Sequence, residues 1–181
     1  MSAVITKARR IASNAHAGQF DRQGVPYIEH PLRVSRIVSG FFFDEDPLLE
    51  SAQTTAILHD VIEDGSVSAG DLVSKGIAPL VVDDVVRLTK TPAQSRESYL
   101  EQITHSRIAL AVKIADIADN TDPERWIVLE EEVKEQYLAK YGYYVCYLLD
   151  RVKYDYCGAA IQDHPLARML QKRLAEFRFA V

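Results

Sequence analysis

Four ionisable side chains lie within one short segment of this 181-residue chain, where His59 and Asp60 are followed by Glu63 and Asp64. The residues before them are amphipathic, so we expect a helix over about 47–64 that has this segment as its last turns. Side chains three and four positions apart share a helical face, which would bring one imidazole and three carboxylates together. Because neighbouring anions are unfavourable unless a cation joins them, the segment predicts a divalent metal ion and a hydrolytic centre.

Further residues could complete the shell of such an ion. His30 begins a second predicted helix, and Asp116 interrupts an apolar run, where a carboxylate needs a partner or a metal. Asn120 follows one turn later, and His16 precedes a loop that contains Gly and Pro. Taken alone, Asp116 could equally pair with Lys113. Two imidazoles and two carboxylates suit Mn²⁺, Fe²⁺, Co²⁺ or Zn²⁺ better than Ca²⁺ or Mg²⁺. The predicted ligands are His30, His59, Asp60 and Asp116.

The elements that must position these residues are helices. Helical periodicity recurs along nearly the whole chain and predicts one compact all-α domain over residues 1–181. Its motif-bearing core spans about 4–122, and C-terminal helices span about 124–181. The apolar run 108–115 could also form a strand, but the spacing of the polar residues that follow it favours a helix. Residues 130–156 read as one long helix or two. No P-loop or Rossmann glycine motif is present.

Composition limits the class of partner. The net charge is −5 and the pI is near 5.5, which argues against a nucleic-acid-binding surface. The N-terminus lacks the apolar segment of a signal peptide, and the longest apolar runs are too short to cross a bilayer. Cys146 and Cys157 lack metal or disulfide spacing and are expected to be buried thiols. We expect a cytoplasmic protein without a membrane partner, either a monomer or a homodimer.

Three motifs follow one another in the sequence: His16-x-Gly-Gln-x(4)-Gly-x-Pro-Tyr-x-x-His30-Pro, His59-Asp60-x-x-Glu63-Asp64 and Lys113-x-Ala-Asp116-x-x-x-Asn120. In this order they resemble the HD-domain metal-dependent phosphohydrolases. Within that family they are most similar to the hydrolase domain of Rel/SpoT proteins and to the stand-alone small alarmone hydrolases. These enzymes remove the 3′-pyrophosphate of guanosine tetraphosphate, ppGpp. The motifs span residues 16 to about 122.

The resemblance implies an HD-domain fold and one Mn²⁺ ion held by the four predicted ligands. It implies that Glu63 and Asp64 orient or deprotonate the attacking water and that Asn120 touches the substrate. Tyr27 and Lys90 match the family's Pro-Tyr and Thr-Lys positions. The products would be GDP or GTP and pyrophosphate.

The chemistry can also be argued without the family. A bound metal lowers the pKa of a water molecule toward neutrality, and Glu63 or Asp64 could take the proton. Clustered carboxylates raise one another's pKa, which suits one of them as a base near neutral pH. Further side chains could bind substrate, namely Arg22, Lys90, Lys113, Lys140 and Tyr141. Lys113 could instead only pair with a carboxylate. Lys140 and Tyr141 could simply pack in the core.

Two positions depart from the family's pattern. Asp21 stands where alarmone hydrolases commonly have the first residue of a basic pair, which stacks on guanine. An aspartate cannot stack in this way and would repel phosphate, which leaves Arg22 to contact it. Asp119 stands where many relatives carry His or another residue. Other substrates therefore stay open: an adenine alarmone, NADPH or a 3′-phosphonucleotide. A non-catalytic, metal-dependent nucleotide-binding module is a further alternative.

Overall fold

The computed structural model describes residues 2–42, 44–63, 67–155, 168–169, 171–172 and 175. Within these ranges every regular element is a helix, and an isolated bridge joins Phe20 to Pro26. The all-α prediction is therefore confirmed. Asp64, Cys157 and most of the predicted C-terminal helical region beyond 155 lie outside the described residues. The helices are α1 (Ala3–Ala15), α2 (Glu29–Ser39), α3 (Leu49–Leu58), α4 (Ala69–Ser74), α5 (Pro79–Leu88), α6 (Arg96–Thr104), α7 (Arg107–Asn120), α8 (Pro123–Trp126) and α9 (Glu131–Asp155).

Helix α7 forms the centre of the fold. Ser106 caps its N-terminus by accepting the Ala109 N–H, and every residue from 108 to 119 is buried. A helix that is apolar on most of its circumference is stable only when other elements surround it, and α7 packs against α2, α3, α5, α6 and α9. The predicted helix over 108–115 is thus confirmed. Residues 130–156 are covered by the single helix α9 as far as Asp155.

Helix α3 lies between two apolar clusters. One cluster joins α2, α6, α7 and α9 and includes Ala52 and Ala56 of α3. The other joins α1, α4 and α5 and includes Ile57 and Leu58. Because both sides of α3 are buried, its C-terminal end is held firmly in the interior. The fixed end of α3 therefore determines the position of residues 59–63, which follow it.

The predicted extension of this helix to residue 64 is wrong. Helix α3 ends at Leu58, and residues 59–63 form turns. The His59 imidazole lies 2.8 Å from the Ala56 carbonyl oxygen, and the Val61 N–H bonds to the Leu58 oxygen across a shorter span than an α-helix uses. For residues 59–63 the predicted helical face is replaced by turns that begin at the helix end.

A tight loop connects α1 to α2. The Phe20–Pro26 bridge closes it, and Gly24 adopts a φ of 76°, a left-handed conformation that favours glycine. Asp21 Oδ1 accepts the backbone N–H groups of Gln23 and Val25. The loop therefore has a defined shape where it reaches α2.

Two remaining features bear on the sequence expectations. None of the described helices is long and apolar enough to cross a membrane. Cys146 is a free thiol on α9, but it is exposed rather than buried as predicted. It occupies the outer face of a helix whose inner face carries the tyrosines and leucines of the core.

Candidate functional site

Four side chains predicted as metal ligands meet at one point. His30 comes from the first turn of α2, His59 and Asp60 from the turn after α3, and Asp116 from the C-terminal half of α7. Ligand atoms of His30, His59 and Asp116 all lie within 4.8 Å of one another. Asp60 Oδ2 adds a fourth atom, 3.6 Å from His30 Nε2 and 3.1 Å from His59 Nε2. Three separate parts of the chain thus build a single centre.

Both imidazoles direct Nε2 toward this centre because Nδ1 is already engaged. His59 Nδ1 lies 2.8 Å from the Ala56 carbonyl, and His30 Nδ1 lies 2.8 Å from Asp119 Oδ2. Carbonyl and carboxylate oxygens only accept hydrogen bonds, so each Nδ1 carries the proton. His59 Nε2 is buried and has no hydrogen-bond partner in the described structure. A buried ring nitrogen of this kind binds either a proton or a metal ion.

The spacing of these atoms fits a divalent ion. Ligand atoms about 2.1 Å from a common ion lie about 3.0–3.4 Å apart at octahedral or tetrahedral angles. Here the nitrogen–oxygen separations run from 3.1 Å, between His59 and Asp60, to 3.8 Å, between His59 and Asp116. His30 Nε2 lies 3.3 Å from Asp116 Oδ1. Two neutral imidazoles and two carboxylates are a donor set that first-row metals accept.

The charges of the site also favour the binding of a cation. Burial opposes a charge on His30, but hydrogen bonds to Asp116 and Asp119 outweigh it and raise the imidazole pKa to about 9. Burial also opposes a charge on His59, whose pKa is nonetheless raised by the negative charge of Asp60. The pKa values of Asp60 and Asp116 are lowered despite burial, because cationic side chains surround them. The carboxylates therefore stay charged and attract a cation or protons.

Asp116 is held on both oxygens. Lys113 Nζ donates to Oδ2 at 2.8 Å, and Asn120 Nδ2 donates to Oδ1 at 2.5 Å. The ammonium of Lys113 is buried and packs over the rings of Tyr99 and Tyr144. The ion pair between Lys113 and Asp116, which the sequence left open, is thus present. Asn120 bonds to a predicted ligand and also lines the neighbouring pocket.

Glu63 lies at the exposed edge of the centre. Its Oε2 accepts the backbone N–H of Lys90 at 3.5 Å. Partial burial and the negative charge of Asp60 raise its pKa. A carboxylate with a raised pKa is a better proton acceptor near neutral pH than an ordinary glutamate. Its predicted companion Asp64 is outside the described residues.

A cavity of about 210 Å³ opens beside the predicted metal ligands, with His30 and Asn120 in its wall. Arg22 lies over the ring of Tyr137 at 5.6 Å. Most of the remaining wall is aromatic or cationic, which suits an aromatic base that carries phosphates, and Asp21, Gln23 and Leu129 complete it. The aromatic and cationic side chains of the wall are Phe20, Tyr27, Trp126, Tyr137, Arg22 and Arg125.

The two residues that depart from the family's pattern have partners. Arg125 donates to Asp21 Oδ2 at 3.2 Å and to Asp119 Oδ2 at 2.5 Å. The predicted repulsion of phosphate by Asp21 stays a prediction, although one oxygen of this carboxylate is paired with Arg125 and the other accepts backbone N–H groups. The sequence marked Asp119 as unusual, but nothing in it indicated Arg125 as the partner of both residues.

Other predicted residues are placed around the centre. The Tyr27 hydroxyl donates to Asp60 Oδ2 at 2.7 Å, so it supports a ligand as well as lining the cavity. His16 is not among the clustered ligands; its ring packs against Tyr27 at 4.8 Å. Lys140 lies over the rings of Tyr141 and Tyr144, and its pKa is lowered by burial and by the charge of Lys113.

Tyr141 is buried and meets the rings of Tyr137 and Tyr144 edge to face. Core packing, the alternative given for this residue, therefore describes its surroundings. The same contacts fix the helix face that carries Lys140.

The chain resembles several known proteins. It is 28% identical over 180 residues to a guanosine-3′,5′-bis(diphosphate) 3′-pyrophosphohydrolase of Haemophilus influenzae, covering 92% of this chain and 26% of that protein. A Vibrio cholerae protein of the same name is 36% identical over 122 residues, 61% of this chain and 16% of its own length. The chain thus spans about a quarter or less of these curated relatives.

A solved structure has the same fold. It is described as a metazoan ortholog of SpoT that hydrolyses ppGpp, and it superposes with a TM-score of 0.71 at 23% identity, covering 97% of this chain and 96% of that one. The HD domain family matches residues 8–134, which include the four clustered ligands. HD domains bind divalent metal ions, and the cluster of His30, His59 and Asp116 fits one. This chain belongs to the HD domain family.

Proposed function

We propose that the protein hydrolyses the 3′-pyrophosphate of ppGpp and pppGpp and releases pyrophosphate with GDP or GTP. The observation that carries this proposal is the convergence of His30, His59, Asp60 and Asp116 beside a cavity with aromatic and cationic walls. The relatives support it, since they include guanosine-3′,5′-bis(diphosphate) 3′-pyrophosphohydrolases.

We further propose Mn²⁺ as the ion, one per chain, with those four side chains as its ligands. When bound, such an ion supplies positive charge and makes hydroxide available near neutral pH. Tyr27 steadies Asp60, and Lys113 and Asn120 steady Asp116. These contacts hold both carboxylates in one orientation before substrate arrives.

Glu63 or Asp64 then takes the proton of the attacking water. For Glu63 the raised pKa and the position at the open edge of the centre support this role. The backbone N–H of Lys90 orients the Glu63 carboxylate. We propose that the Lys90 ammonium binds phosphate oxygens of the substrate. The negative charge that develops on those oxygens favours nearby cations.

The nucleoside occupies the cavity. Tyr27 and Tyr137 offer ring faces, and Arg22 contributes a positive charge that already lies over the Tyr137 ring. Lys140 and Tyr141 follow Tyr137 by three and four residues on α9 and share its helix face, where the Tyr141 ring contacts the Tyr137 ring. The pairing of Asp21 with Arg125 partly offsets the negative charge that would repel phosphate, which supports a guanosine alarmone as the substrate.

Product analysis tests the proposal. Purified protein is incubated with Mn²⁺ and ppGpp, its adenine counterpart, NADPH or a 3′-phosphonucleotide, and the products are separated by chromatography. We expect GDP and pyrophosphate from ppGpp, and none from the Asp60→Ala variant. Intact ppGpp would contradict the activity, and faster turnover of another nucleotide would contradict the substrate. Tight nucleotide binding without any product would instead indicate a binding module.

A further inference from the structure

We propose that Asp119 is a positioning residue that fixes the His30 imidazole for metal binding, and that Arg33 and Arg125 hold Asp119 in place. The inference rests on the metal centre of the proposed function but not on its substrate. It starts from the difference between the two imidazole ligands. His59 is fixed by the Ala56 carbonyl of its own helix, whereas His30 is fixed by a side chain 89 positions away.

The contact between Asp119 and His30 defines which ring nitrogen faces the ion. Asp119 is 3% exposed, and its Oδ2 lies 2.8 Å from His30 Nδ1. Because a carboxylate only accepts, Nδ1 must donate, and Nε2 remains to bind a metal. A charged acceptor also increases the electron density on the ring and strengthens its bond to a cation.

Asp119 is itself held from two directions. Arg33 Nε donates to Oδ1 at 2.6 Å, and a second Arg33 nitrogen donates to Oδ2 at 3.1 Å. Arg125, which follows Asp119 by six positions, also donates to Oδ2. A buried carboxylate that accepts hydrogen bonds from two guanidinium groups keeps one orientation. Asp119 therefore cannot rotate away from His30 without breaking these bonds.

Arg125 is anchored in turn by the loop between α1 and α2. Its second terminal nitrogen pairs with Asp21 at 3.2 Å, and its backbone oxygen accepts the Gln23 side-chain amide at 2.8 Å. Asp21 and Asp119, which the resemblance marked as departures from the family's motifs, are thus the two carboxylates that Arg125 joins. The wall of the cavity and the His30 ligand belong to one bonded network.

The test is the Mn²⁺ affinity of Asp119→Asn, measured without nucleotide by electron paramagnetic resonance of free Mn²⁺. We expect about a 10- to 100-fold weaker affinity than that of the original protein, the usual effect of removing such a partner. The matched control is Asp46→Asn. Asp46 also pairs with an arginine, Arg107 at 2.8 Å, but at the N-terminal end of α7, about 13 Å along the helix from Asp116. The control should lower the unfolding temperature without changing Mn²⁺ affinity.

A second variant covers the case in which Asp119→Asn does not fold. Arg33→Gln removes one support of Asp119 and leaves Arg125 in place, and we expect it to weaken Mn²⁺ binding severalfold. A proton resonance from His30 Nδ1–H bonded to Asp119 should be visible in the metal-free protein. The same resonance should be lost in Asp119→Asn while that of His59 persists.

Unchanged Mn²⁺ affinity in the folded Asp119→Asn variant would overturn the inference, as would unchanged affinity in Arg33→Gln if the first variant does not fold. Because the titration contains no nucleotide, it is independent of the substrate. Weakened Mn²⁺ binding in a protein that leaves ppGpp intact would support the inference and contradict the proposed activity. Failure of the original protein to bind Mn²⁺ would overturn the inference together with the metal centre.

Discussion

Protons and a metal ion compete for the same imidazole nitrogens. In the chain alone the pKa of His30 is about 9, because Asp116 and Asp119 stabilise the charged ring against the cost of burial. The pKa of His59 is raised as well. A histidine must lose its Nε2 proton before it can ligate a metal. We therefore expect the affinity of the proposed centre for Mn²⁺ to depend on pH.

The sign of this linkage follows from the raised pKa of His30. Below about pH 9 the ring holds a proton that the metal must displace, so Mn²⁺ affinity falls as pH falls. We expect the dissociation constant to change about tenfold per pH unit for each displaced proton between about pH 6 and pH 8. Calorimetric titration at three pH values checks this, and a constant affinity over that range would contradict it.

The identity of the base is a second question at the level of single residues. If Glu63 takes the proton, Glu63→Gln should lower kcat about 10²- to 10⁴-fold while Mn²⁺ affinity is retained. If Asp64 is the base, Asp64→Asn should show that loss, and Glu63→Gln a smaller one. Steady-state kinetics on ppGpp distinguishes them. Full activity in both variants would exclude both Glu63 and Asp64 as the base.

Helix α7 supplies both core and site. Lys113, Asp116 and Asn120 follow one another at intervals of three and four residues, so they share one face, while the other faces are apolar and buried. A defect in the packing of α7 should therefore reduce stability more than one elsewhere.

Leu110 tests this dependence. It is 1% exposed, and we expect Leu110→Ala to lower the free energy of unfolding by about 2–5 kcal/mol, because it leaves a cavity that neighbouring helices can only partly fill. Val86→Ala on α5 is the control, since Val86 is 47% exposed and should cost well under 1 kcal/mol. Urea denaturation of both variants checks the difference, and equal losses would contradict it.

The sequence predicted those parts of the site that are local. Helix α7 was predicted from its apolar run. The metal ligands were predicted from three motifs, and within each motif the residues lie close together in the sequence. The end of α3 was misplaced because Val61, which is fully buried, continues the apolar pattern beyond the helix. The network around Asp119 was not predictable, since Arg33 lies 86 positions from it and Arg125 lies 104 positions from Asp21. Such pairs depend on tertiary structure rather than periodicity.

At the scale of the whole molecule, the metal centre connects α2, the turn after α3, and α7. An ion that binds all three favours the folded chain, because the unfolded chain cannot hold the ligands together. We propose that the chain works as one HD-type domain in which this ion is also a structural link.

Metal removal tests that link. Free Mn²⁺ at 100 times its dissociation constant should stabilise the protein by about 2.7 kcal/mol, and EDTA should reverse the effect. Thermal unfolding in Mn²⁺ and in EDTA measures the difference. The Asp60→Ala variant is the control, and it should unfold at nearly the same temperature in both. Identical unfolding of the original protein in the two conditions would contradict binding at this centre.

The most direct test follows Mn²⁺ occupancy and ppGpp hydrolysis in the same sample. Metal-free protein is titrated with Mn²⁺, bound ion is counted, and pyrophosphate release is measured at each step. We expect the rate to rise in proportion to occupancy and to level off at one ion per chain. Release of pyrophosphate at full rate from the metal-free protein in EDTA would contradict a metal-dependent centre built by His30, His59, Asp60 and Asp116.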